Sequence, residues 1–110
     1  MKKRVFSGIQ PSGHLHIGNY LGSIRNWVRD LESHGNIFCV VDQHAITVDY
    51  DPALLRSNVR ELVGLYLACG LEPDKCCLFV QSHIPEHTEL AWLLTCVTPM
   101  GWLERMTQFK

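Results

Sequence analysis

Apolar positions recur along the chain in two alternating rhythms. Val5-Phe6-Ser7 reads as a short strand, followed by the turn-rich Gly8 to Gly13. From Ile17 onward, Tyr20, Leu21, Ile24, Trp27, Val28 and Leu31 advance in steps of three and four, which puts them on one helical face. Gly35 follows as the natural terminator of that helix. Ile37-Phe38-Cys39-Val40-Val41 is apolar on both faces, as a buried parallel strand is, and Asp42 ends it. A second long helix starts with Asp51 as cap and Pro52 in its first turn. Its apolar positions include Leu54, Leu55, Val59, Leu62, Val63, Tyr66 and Leu67, and Gly70 closes it. Cys77-Leu78-Phe79-Val80 reads as a third buried strand. A turn from Ser82 to Pro85 leads to a third helix, roughly Glu86 to Val97. Pro99 breaks that pattern, and Gly101 to Met106 forms a further helical turn.

The order is therefore strand, helix, strand, helix, strand, helix. Strands alternating with long helices imply right-handed crossovers and a parallel sheet. The predicted fold class is α/β, a Rossmann-like sheet equal to half of a doubly wound nucleotide-binding fold, with residues 1–110 as one unit. In such sheets ligands sit beyond the carboxyl ends of the strands. Three loops occupy that edge: Gly8 to His16, Asp42 to Tyr50 and Gln81 to Glu86. Four of the six histidines, His14, His16, His44 and His83, lie in or near them.

Composition narrows the class further. At 46% hydrophobic residues the chain has enough apolar surface for a packed core. Ten basic and eleven acidic residues leave it near neutrality, which argues against a main nucleic-acid surface. Lys2-Lys3-Arg4 is the one basic cluster and reads as a solvated end. The five cysteines, at 39, 69, 76, 77 and 96, show neither a disulfide framework nor a paired metal spacing. Most lie in apolar runs, so they read as small core residues in a reducing compartment. No secretory signal and no apolar run of membrane-spanning length occurs, and a cytoplasmic location is expected.

Candidate chemistry concentrates in Ser7-Gly8-Ile9-Gln10-Pro11-Ser12-Gly13-His14-Leu15-His16-Ile17-Gly18-Asn19-Tyr20. Glycines at 8, 13 and 18 let backbone approach a ligand closely. Amides at a helix start favour phosphate. His16 and Asn19 share one side of the first helical turn and can both donate to one phosphate group. No P-loop lysine and no GxGxxG pattern is present. A nucleotide here must be held by neutral donors, which suits reaction at an α-phosphate, where preorganised dipoles stabilise a developing pentacoordinate centre. The alternatives are a plain glycine-rich turn with a helix cap, or a metal site built on His14, His16 and His44. No carboxylate or thiolate completes a metal spacing, so no protein-bound metal is predicted.

These residues resemble a known family. Phe6-Ser7-Gly8-Ile9-Gln10-Pro11-Ser12-Gly13 and His16-Ile17-Gly18-Asn19-Tyr20 look like the opening of the tryptophanyl-tRNA synthetases. His16-Ile17-Gly18-Asn19 takes the place of the HIGH motif of class I synthetases. Val41-Asp42-Gln43-His44-Ala45-Ile46-Thr47, Leu65-Tyr66-Leu67-Ala68-Cys69-Gly70 and Glu104-Arg105-Met106-Thr107-Gln108-Phe109-Lys110 agree as well. The resemblance implies ATP-dependent activation of L-tryptophan, with Mg2+ accompanying ATP as substrate, and transfer of the product to tRNA(Trp). It implies ATP contacts for Gln10, Pro11, Ser12, His16, Gly18 and Asn19, with His16 and Asn19 as the catalytic pair. Phe6, Gly8, Val41 and His44 would line the tryptophan side, and Gln108 and Lys110 would lie near the phosphates. For Phe6 and Val41 core packing is an equal explanation, and His44 can be a hydrogen-bonded turn residue. Trp27 and Trp92 read as core or contact residues. The resemblance also implies a homodimer, with Trp92 or Leu93 near its interface.

The family's KMSKS loop does not occur in these 110 residues, nor do the aspartate that reads the indole nitrogen and the anticodon-recognising helical domain. The expectation is a fragment with the fold and half the site, and little or no turnover. Competing readings are another nucleotidylyltransferase with a related histidine–glycine motif, and a truncated nucleotide-binding or interaction module.

Overall fold

A computed structural model of the chain describes residues 2–109. Three strands, β1 (Arg4–Ile9), β2 (Gly35–Val40) and β3 (Cys76–Val80), pair in parallel in the order β1-β2-β3. Ile9 stands opposite Val40, and Val40 opposite Val80, so the three carboxyl ends finish level. The connections that follow them share one edge, as the alternating pattern predicts. Each strand starts one or two residues before its apolar run, because ladder pairing does not need apolar side chains. Gly35 is the first residue of β2 and not a helix terminator: its N–H donates to the Lys3 carbonyl at 2.9 Å. Val41 lies just past β2.

The first helical stretch has three parts: α1 (Ile17–Asn19), a π-helical turn (Tyr20–Ile24) and α2 (Arg25–Arg29). It stops earlier than the periodicity implies, at Asp30. The buried Asn36 explains the stop. Its side-chain amide donates to the carbonyls of Asp30, Leu31 and His34 at 3.1–3.3 Å, satisfying acceptors that a continuing helix would have used. Leu31 is still buried, but from a turn.

Helix α4 (Pro52–Ala68) follows the short α3 (Asp42–Ala45), which replaces part of the expected loop. Asp51 caps α4 by accepting from the N–H of Ala53 at 2.7 Å and of Leu54 at 3.3 Å. At its end Gly70 adopts φ 104°, Gly70 N–H donates to Leu67 and Leu71 N–H to Tyr66, the pairing of a Schellman cap. Leu71 is thereby tucked into the core. A 3-10 turn (Gln81–His83) leads from β3 to α5 (Glu86–Val97) and α6 (Met100–Leu103).

The core lies between the helices and one sheet face. Ile24, Trp27, Leu31, Phe38, Val40, Leu62, Tyr66 and Leu71 form it, with Ile9, Leu78 and Val80 packed alongside. Trp27 stacks on Phe38 at 4.5 Å and meets Tyr66 edge-on at 5.5 Å. Strand alternation sends Phe6, Gly8, Ile37, Cys39, Cys77 and Phe79 to the opposite face. Among the described residues that face is covered only in part: Cys39 is buried and Phe79 meets the His87 ring of α5 at 5.8 Å, while Phe6 is 65% exposed. Core packing therefore does not account for Phe6.

The cysteines divide accordingly. Cys39 is buried, Cys69 and Cys76 are half-buried, and Cys77 and Cys96 are exposed. Their reading as core residues fails for the last two, because Cys77 faces the partly covered side and α5 buries no residue. Trp92 is likewise not a core residue, at 69% exposure.

Candidate functional site

A cleft of about 420 Å3 opens at the carboxyl end of β1. Gly8, Ile9 and Gln10 form its strand side, Ser12 to His16 its rim, Asn19 and Ser23 its helix side, and Leu62 of α4 reaches it from below. The sequence-predicted Gly8, Gln10, Ser12, His16 and Asn19 thus converge on one space.

His16 is the N-cap of α1. Its Nδ1 accepts from the Gly18 N–H at 3.1 Å, while Asn19 Oδ1 accepts from the His16 N–H at 3.2 Å. This reciprocal cap uses one polar atom of each side chain and leaves His16 Nε2 and Asn19 Nδ2 for a ligand. Since Nδ1 is an acceptor, a neutral His16 carries its hydrogen on Nε2, the form that donates to a phosphate oxygen. Gly18 does not line the cleft, but a Cβ there would lie 2.9 Å from the His16 ring, so the glycine keeps the cap intact.

Pro11 has a different place. Its side chain is fully buried, and its carbonyl accepts from Asn58 Nδ2 on α4 at 3.3 Å. These contacts fix the loop that carries Gln10 and Ser12. Beside it, Tyr66 lies wholly buried with its hydroxyl near the Ile9 backbone but without a well-formed hydrogen bond. Burial pushes its phenol well above the usual range. At the rim, His14 Nδ1 meets Glu61 at 3.1 Å in an exposed contact, which adds little stability.

Phe6 and Gly8 occupy the partly covered sheet face, and Val41 and His44 the adjoining connection. A Cβ on Gly8 would fall 2.6 Å from the Cys39 carbonyl and 3.0 Å from Val41 Cγ1, so glycine is what lets β1 and β2 approach there. Cys39, behind Gly8, has its thiol pushed up to about 11 by burial and then by the Asp42 charge. His44 joins the next connections: Gln10 Nε2 donates to its carbonyl at 3.3 Å, and its Nδ1 lies 3.0 Å from Gln81 Oε1. Gln108 is exposed near the end of the described chain, and Lys110 lies outside the described residues. Among the described residues no cluster of three or more His, Cys, Asp or Glu could hold a metal ion.

A family profile described as tRNA synthetases class I (W and Y) matches residues 1–110, the whole chain. The chain belongs to the class I tRNA synthetases of the tryptophan and tyrosine group. It is 59% identical over 109 residues to the tryptophan–tRNA ligase of Prochlorococcus marinus, covering 99% of this chain and 32% of that protein. The tryptophanyl-tRNA synthetase of Campylobacter jejuni superposes with a TM-score of 0.90 at 38% identity, over 99% of this chain and 34% of the other. A structure of a Campylobacter jejuni enzyme with ADP and tryptophan gives 0.86 at 40% identity, over 93% and 32%. The chain therefore spans about a third of the length of the relatives it matches.

In this class I synthetase chain several residues near the site were not singled out from sequence. Asn58 carried a signal: it is a polar residue between Leu55, Val59 and Leu62, on the stripe that should be apolar. Glu61 and Gln81 carry none, since their partners His14 and His44 are remote in sequence, and Ser23 is marked only by the cleft it lines.

Proposed function

We propose that this chain forms the first part of the catalytic domain of a tryptophan–tRNA ligase, the part that receives ATP and tryptophan. The observation that supports it most is the cleft at the carboxyl end of β1, where the neutral donors of Gln10, Ser12, His16 and Asn19 meet on a glycine-rich turn. Membership of the synthetase family and likeness to tryptophan–tRNA ligases over the whole chain point the same way.

In this reading the tryptophan carboxylate attacks the α-phosphate of ATP in line, and pyrophosphate leaves with its Mg2+. Tryptophanyl-adenylate then reacts with tRNA(Trp). His16 and Asn19 donate to phosphate oxygens on which charge develops. Gln10 and Ser12 hold the nucleotide, Gly18 keeps the His16 cap intact beneath it, Pro11 sets the loop, and Phe6, Gly8, Val41 and His44 face the amino acid. Gln108 and Lys110 stand near the phosphates. No KMSKS-type lysines occur here, so the charge clamp on pyrophosphate is missing and turnover by these residues alone is slow. A transition-state interaction of about 4 kcal/mol corresponds to roughly a thousandfold in rate.

The intact enzyme is a homodimer in the same reading. Support comes from the apolar residues that α5 and α6 leave exposed, among them Leu90, Trp92, Leu93 and Trp102. No helix among the described residues is long and apolar enough to cross a membrane, and the reaction is assigned to the cytoplasm.

Calorimetric titration with ATP and Mg2+, with and without tryptophan, tests the reading. The expected result is weak ATP binding that Asn19→Ala or Gly18→Val abolishes. Equal affinity in parent and variants, or tryptophan-dependent ATP–pyrophosphate exchange at full enzyme rates by this chain alone, would contradict it.

A further inference from the structure

Gln81 belongs to no motif, yet it stands where three connections meet. Gln10, Val41 and Gln81 each follow directly on the rung Ile9–Val40–Val80, at the carboxyl edge of the sheet. His44 bridges two of these positions. Its carbonyl accepts from Gln10 Nε2 at 3.3 Å and from Thr47 Oγ1 at 2.8 Å, which fixes its backbone. Its ring Nδ1 lies 3.0 Å from Gln81 Oε1. Gln81 is itself held: its carbonyl accepts from the Ile84 N–H at 3.1 Å, and the His87 ring sits 3.4 Å from the same oxygen. One residue on, the Ser82 N–H donates to Asp42 Oδ1 at 3.0 Å and ties the same two connections a second time.

An amide oxygen only accepts. With Gln81 Oε1 turned to the ring, the hydrogen between them sits on His44 Nδ1, and the neutral ring then carries its lone pair on Nε2. We infer that Gln81 is a positioning residue that locks His44 in the Nδ1–H form, so that Nε2 is offered as an acceptor to an N–H of the amino-acid substrate. This rests on the assignment of His44 to the tryptophan side. It gives His44 the opposite polarity to His16, whose cap makes Nε2 a donor suited to phosphate. Two histidines on one sheet edge are thus sorted by their Nδ1 partners, one toward an anion and one toward an N–H. With the indole N–H left to the family's aspartate, the donor is the α-ammonium of the substrate.

The test is nitrogen NMR of the histidine-labelled full chain at mildly alkaline pH, where imidazole is neutral. The expected spectrum shows His44 as the Nδ1–H tautomer and His16 as the Nε2–H tautomer. Gln81→Ala shifts His44 toward Nε2–H, and Gln81→Glu, which keeps an acceptor, retains Nδ1–H. Tryptophan moves the His44 Nε2 resonance, with affinity about tenfold weaker in Gln81→Ala and ATP affinity within about twofold of the parent. 1-Methyltryptophan, which keeps the ammonium, reproduces the shift, and indole, which lacks it, does not. An Nε2–H form of His44 in the parent, or no tautomer change in Gln81→Ala, overturns the inference whatever binds. A parent with the expected tautomer and no response to tryptophan overturns the amino-acid assignment instead.

Discussion

Helix α4 buries Leu62 and Tyr66 beneath the site, whereas α5, which is the more hydrophobic on average, buries none. The difference lies in arrangement and partner. Along α4 the apolar residues form one stripe, interrupted by Asn58, and the sheet lies against it. Along α5, Ala91, Trp92, Leu93, Leu94, Cys96 and Val97 surround the axis, so no face is singled out and no layer covers it among the described residues. Hydrophobicity shows that a segment wants cover. Only a packed neighbour turns that into burial and stability.

The sharpest challenge to this contrast is a pair of truncations. Phe38→Ala removes a fully buried ring stacked on Trp27 and should cost about 3–5 kcal/mol in urea unfolding. Trp92→Ala deletes a larger ring and should stay within about 0.5 kcal/mol at concentrations where the chain is monomeric. Similar losses would mean that α5 is packed after all. Glycines extend the comparison at a smaller scale. Gly8→Ala places a Cβ against the Cys39 carbonyl and should cost about 1–3 kcal/mol. Gly64→Ala, on the open side of α4, should instead stabilise by about 0.5–1 kcal/mol.

Helix starts give the next increment. Asp51→Ala should cost about 1 kcal/mol, because the Asp51 carboxylate caps two amides of α4. No single change does the same at α5, which starts on Pro85 without a side-chain cap. Thiol chemistry provides the mildest probe. The Cys39 thiol is raised from 9.0 to about 11, so near pH 8 it holds on the order of a hundredfold less thiolate than an unshifted thiol. Alkylation should mark Cys77 and Cys96 first and Cys39 only on unfolding. A raised thiol pKa also means that ionisation is easier in the unfolded chain. The Cys39 contribution to stability is present below pH 9 and is lost as pH rises from there toward 11. Rapid alkylation of Cys39 in the native chain would show that the partly covered sheet face is looser than the ladder implies.

Much of this molecule is legible in its sequence. The two rhythms of apolar residues give three parallel strands and their helices. Asp51, Pro52 and Gly70 give the bounds of α4, and the segment from Gly8 to Asn19 gives the region of the cleft. Those features are local: periodicity, capping and a glycine's positive φ depend on residues a few positions apart. Gly35 is ambiguous in sequence because a glycine suits a helix end and a strand start equally, and Asn36 decides between them by capturing three carbonyls. Pro11 reads as a ligand contact by its motif, yet the fold buries it and binds its carbonyl to Asn58. The polarity of His16 and of His44, one with Nε2 as donor and one as acceptor, is set by a local cap in the first case and by Gln81, thirty-seven residues away, in the second. Sequence by itself determined which segments would form and where polar groups would gather. The tertiary structure alone decided which apolar faces found cover and which atom each histidine presents, because both depend on neighbours that only folding supplies.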